Sequence, residues 1–141
     1  MRTLLRAFTL LLFSFSFIFA NNFTEVREIS LKKDEQKKIL VKYDNKDKLF
    51  TFRWTLYKNG GLVVFRAYDK IVAQNVLYLR EKNRSFKFEL KTKGADSFKV
   101  PYMLVKFKEF NQKTKEAKFE IFLSDDKKQI MLEDLKPPKE E

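Results

Sequence analysis

The chain contains neither cysteine nor histidine. Without cysteine there is no disulfide framework, no thiolate nucleophile, no Cys-based zinc site and no lipid-modified cysteine, so core packing alone has to hold the fold. Without histidine the commonest general base and the commonest metal ligand are both missing. Any catalytic scheme would rest on Ser, Lys, Tyr or carboxylates, and these absences argue against an enzyme. There is also no internal repeat and no low-complexity tract, which sets aside solenoids and arrays.

What the chain does have begins at its first residue. Arg2 and Arg6 form a basic segment, Ala7 to Phe19 a short apolar run, and Ala20 a small residue at a cleavage position. This is the pattern of a cleaved signal peptide over residues 1–20, and it is short for a bilayer span, which takes roughly 20 apolar residues. The expectation is export. The remaining 121 residues of the 141 fit one domain, over 21–135, with a core of useful size.

Loss of Arg2 and Arg6 lowers the formal charge from +11 to +9. Most of that surplus is lysine spread along the chain. Such a distribution suits a solvated surface, whereas a concentrated stripe would point to an anionic partner such as envelope lipid or glycan.

From residue 27 onward the sequence alternates with period two between apolar and polar residues, the mark of half-buried strands. Phe50, Phe52, Trp54 and Leu56 fall on one face and Thr51, Arg53 and Thr55 on the other. Phe86, Phe88 and Leu90 alternate with Lys87, Glu89 and Lys91, while Phe119, Ile121 and Leu123 alternate with Lys118 and Glu120. Ile39, Val41 and Tyr43, and Met103, Val105 and Phe107, follow the same rule, and Ile29 and Leu31 point inward from a first strand at Arg27–Leu31. Asn59-Gly60-Gly61 is a strong hairpin signal, because Asn and Gly tolerate positive φ. Asp69–Arg80 has some helical spacing, yet its β-branched residues favour a strand, and Ser124–Leu135 is also assigned as strand. The expected fold is all-β, an antiparallel sandwich of about seven or eight strands. Lys136–Glu141, with two prolines, is expected to be a tail outside it.

The run Arg53-Trp54-Thr55-Leu56-Tyr57-Lys58-Asn59-Gly60-Gly61 resembles the Trp-bearing strand and hairpin of immunoglobulin-like domains, which implies a sandwich with Trp54 in its core. The chain departs from those domains in lacking the two cysteines against which that tryptophan packs. Its Lys- and Phe-rich composition behind a leader is similar to that of small exported proteins of AT-rich Gram-negative bacteria. That likeness implies a periplasmic location.

Several motifs bear on chemistry. Glu81-Lys82-Asn83-Arg84-Ser85 matches the extended acidic acceptor of bacterial N-linked glycosylation, which makes Asn83 a candidate modification site in a polar break; Asn22-Phe23-Thr24 lacks the acid. Ser30–Lys33 and Ser124–Lys127 both fit S-x-x-K, but the companion motifs of that enzyme class are absent. Asp44–Asp47 and Asp125-Asp126 suit turn chemistry better than calcium ligation, since no D-x-D-x-D-G loop is present. No metal or cofactor is expected. The clean alternation of rings and lysines puts them on opposite faces, which argues against nucleic-acid stacking.

One surface stands out. If Val63, Phe65 and Ala67 face the core, then Leu62, Val64, Arg66 and Tyr68 point outward, and with Leu77 and Leu79 they make an apolar patch with a basic edge. That patch is a candidate docking surface for a protein partner or a second copy, and an edge strand there is open to strand addition.

Overall fold

A computed structural model describes residues 23–80, 82–91 and 100–136. The expected signal peptide, Asn22, the turn at 93–96 and residues 137–141 lie outside them. Among the described residues there are nine strands and no helix: β1 (Glu25–Lys32), β2 (Lys37–Tyr43), β3 (Lys46–Lys58), β4 (Gly61–Tyr68), β5 (Ile71–Tyr78), β6 (Ser85–Glu89), β7 (Tyr102–Asn111), β8 (Glu116–Ser124) and β9 (Met131–Leu135). They form two antiparallel sheets, ordered β1-β8-β7-β6 and β5-β4-β3-β2-β9.

The sheets pack face to face as the expected sandwich. Strands β2 to β5 run as one meander and β6 to β8 as another, while β1 and β9 complete one edge of each sheet. Sequential hairpins therefore take the place of the Greek-key connections of immunoglobulin domains. Three of these hairpins turn on two residues with positive φ, as tight antiparallel turns require: Asp44 and Asn45, Asn59 and Gly60, and Asp69 and Lys70.

Phenylalanine fills the space between the sheets. Phe50 lies 4.6 Å from Phe88, and Phe52 meets Phe119 edge-on at 5.4 Å, each pair crossing from one sheet to the other. Fully burying such a ring contributes roughly 1.5–3 kcal/mol relative to exposure. Trp54 is buried, as the resemblance implies, and its Nε1–H donates to the Leu31 carbonyl at 2.8 Å. A buried indole thereby finds its partner in β1 of the opposite sheet.

At the seam between β1 and β9, Arg27 donates through Nη2 to the Leu132 carbonyl at 3.0 Å and pairs with Asp134. Asp125 follows β8, buried, and its Oδ2 accepts the Ile130 N–H at 2.7 Å. The Asp125-Asp126 segment begins a turn closed by Lys128 N–H on the Asp125 carbonyl, in line with the local chemistry expected there.

Candidate functional site

The patch expected around β4 exists, but the opposite set of residues builds it. In a plain two-residue hairpin at Asn59-Gly60, Leu56 would stand across from Val63 and Trp54 across from Phe65. Instead β3 carries a bulge at Thr55, so that Leu56 pairs with Val63 while Trp54 pairs with Val64. One extra residue inverts the faces of everything beyond it.

Leu62, Val64 and Tyr68 consequently face the core and are buried, and so is Leu77, their neighbour on β5. Leu79 packs partly buried against the same cluster. The sequence-based orientation of these five residues is thus corrected. The bulge also turns Leu56 outward, where it is half exposed, and brings Tyr57 inward.

Arg66 lies on the inner face as well. Its Nε–H donates to Asn75 Oδ1 at 2.8 Å, and its guanidinium sits 4.8 Å from the Phe86 ring centroid and 5.6 Å from that of Phe88. Burial pushes its pKa below the usual arginine range, and the two ring faces supply a cation–π partner there. Tyr68 donates its hydroxyl to the Leu90 carbonyl at 2.6 Å, and burial, followed by the neighbouring Tyr43, raises its pKa far above that of a free phenol.

The outward face of β3, β4 and β5 is formed by Leu56, Val63, Phe65, Ala67, Val72 and Val76, which share that face through the β3–β4 and β4–β5 registers. Toward β2 the same face becomes charged, with Lys38, Arg53 and the Lys42–Glu133 pair exposed. Ile71 and Val72, at the start of β5, are 74% and 72% exposed. Ile71 belongs to the inner side, at the start of an edge strand whose only strand neighbour among the described residues is β4.

Strand β5 is an edge, and its composition sets it apart. Ile71–Tyr78 contains no charged residue, whereas β1, β6 and β9, the other three edges, each carry at least one. Edge strands are normally guarded by charge, proline or distortion. Here charge stands outside the strand, at Lys70 and Arg80, and the Asn83 carbonyl occupies the Tyr78 N–H at one end, which leaves the backbone of Val72 to Val76 without a strand neighbour on that side among the described residues. The uncharged run was legible in the sequence as the signal for this site, although the register that sorts its side chains was not.

Asn83 is exposed in the connection between β5 and β6, and its carbonyl accepts the Tyr78 N–H at 3.0 Å. Glu81, the acid of the acceptor motif, lies outside the described residues. Asn83 thus sits against the Tyr78 end of the open β5 edge.

A second feature escaped sequence reasoning. β7 carries its own bulge near Lys108, after which Phe110 turns toward the core and stacks on Tyr57 at 4.0 Å. Together with Trp54, Lys33 and Lys115 these rings line a shallow cleft of about 250 Å³. Its sequence trace is faint, since it depends on two bulges in different sheets.

No family model, curated protein or solved structure matches the chain. The fold and the β5 edge therefore carry the functional reading by themselves.

Proposed function

We propose that the protein is a non-enzymatic, exported module of the bacterial envelope that docks another polypeptide on β5 and the apolar face beside it. The observation that carries the reading is an uncharged edge strand in a chain of which 35% is charged. Its open side offers backbone donors and acceptors, and the adjoining face offers apolar positions at the alternate spacing that strand addition uses. The leader-like segment at the start of the chain supports the periplasm as the place where this happens.

A photo-crosslinking residue at Val72, in the full chain expressed in its native host, tests the proposal. A discrete adduct is expected there and not from a residue at Lys87, on the edge strand of the other sheet. A smear, or no adduct at either position, sinks it.

The cleft beneath Lys33 and Lys115 favours a second reading, a site for an anionic envelope ligand such as an acidic glycan or a lipid phosphate. Its affinity would fall steeply with salt, because exposed charges are screened over about 8 Å at physiological ionic strength. Docking on β5, which contains no charge, would respond little.

A further inference from the structure

The larger apolar residues of β5 fall symmetrically about Gln74: Val72 and Val76 lie two residues to either side and Ile71 and Leu77 three, while the immediate neighbours, Ala73 and Asn75, differ. We infer that the partner at this edge is a second copy of the chain, paired β5 to β5 antiparallel about a two-fold axis at Gln74. This rests on the docking reading above and names its occupant.

The hydrogen bonding fixes the phase. Tyr78 N–H points away from β4, toward Asn83, and alternation along the strand aims the backbone groups of Val76, Gln74 and Val72 in the same direction. Ile71, Ala73, Asn75 and Leu77 accordingly complete the ladder with β4. With Gln74 opposite its own copy, Val72 meets Val76 and all three open residues exchange bonds, about six in total. A pairing centred on Asn75 would set Val72 against Tyr78, whose N–H is already engaged.

The side chains agree with this register. Valine faces valine on the outer side, and Ile71 faces Leu77 on the inner side, the kind of apolar cross-strand pair that supports a sheet. With no charged residue in β5, no like charges oppose each other within the paired strands. The contact is isologous, and the far edge of each five-stranded sheet is the charged β9, so pairing closes at two copies. A strand pair buries less than a standard interface, so association is expected in the micromolar range.

The absence of cysteine makes the test direct. Gln74→Cys introduces the only thiol at an exposed position, and in the proposed pair two such residues stand about 5.5 Å apart by Cα, within disulfide reach. Under mild oxidation of the full chain, this variant is expected to form a linked dimer at least about tenfold faster than Lys87→Cys. Sedimentation of the cysteine-free protein should show a monomer–dimer equilibrium that Val76→Lys shifts to monomer without loss of fold. Equal crosslinking at the two positions, with a monomer at every concentration, overturns the self-pairing. A photo-adduct at Val72 whose mass differs from twice the chain also overturns it while leaving the docking reading standing; no adduct removes both.

Discussion

Val64 stands directly across from Trp54, although Val63 stands across from Leu56, because Thr55 has no counterpart on β4. That one unmatched residue decides which side of β4 is core and which is surface.

Val64→Glu should therefore destabilise the domain severely, since it forces a carboxylate into a fully packed core position where the nearest cation, Arg66, is already held by Asn75 and the Phe86 and Phe88 rings. Val64→Ala is expected to cost about 2 kcal/mol. Val63→Glu, on the outer face, should leave a folded protein. Urea denaturation of the three variants checks the assignment, and a stable Val64→Glu would contradict it.

Trp54 is the only tryptophan, and its emission should be that of a buried indole which shifts to the red on unfolding. Trp54→Phe keeps a ring but leaves the Leu31 carbonyl without its donor, at an expected loss of about 1–3 kcal/mol. Chemical denaturation followed by circular dichroism measures that loss.

Tyr68 holds its proton more tightly in the folded protein than in the unfolded chain, chiefly because of burial. Its contribution is whole below the ordinary phenol value of about 10 and is lost as pH rises above it. The melting temperature should fall between about pH 10 and 12. Tyr68→Phe should be less stable than the parent at neutral pH, where the bond to Leu90 is missing, and the gap should narrow in alkali. A gap that stays constant would count against the assignment.

Glu28 behaves in the opposite sense. The hydrogen bond from Lys108 at 2.7 Å, helped by the charges of Lys108 and Lys118, holds its pKa below the usual 4.5. Its stabilising effect is present above that value and is lost as pH falls through the lowered one. Glu28→Gln should flatten the acid side of the stability profile, an effect that shrinks in high salt because the group is exposed.

The alternation of Phe50, Phe52 and Trp54 with polar residues was enough to define strands, a sandwich and an aromatic core. Asn59-Gly60 was enough to place a hairpin. Strand β5 was legible from its β-branched residues despite some helical spacing. The face assignment of Leu62, Val64, Tyr68, Leu77 and Leu79 was not, because period two carries no information about an inserted residue. Leu62–Phe65 is apolar in both phases, so composition left either side free to be core, and packing of Trp54 and Tyr57 decided between them. Arg66 was placed outside by the same phase, whereas two phenylalanine faces and the Asn75 amide receive it within. The cleft under Phe110 needed a second bulge that only the β7–β8 register reveals.

The two strands that complete the meanders have a kinetic consequence. Hairpins from β2 to β5 close over two residues, but Glu25 must find Leu123 and Lys38 must find Leu135 across nearly the whole domain. Closing those long loops costs chain entropy before any contact rewards it, so β1 and β9 should add last to a preformed centre. A circular permutant that joins β9 to β1 and opens the chain at Asn59-Gly60 would make the β1–β9 seam local and one two-residue hairpin distant. Its folding rate would then report how far the order of assembly is written in connectivity and how far in the phenylalanine core.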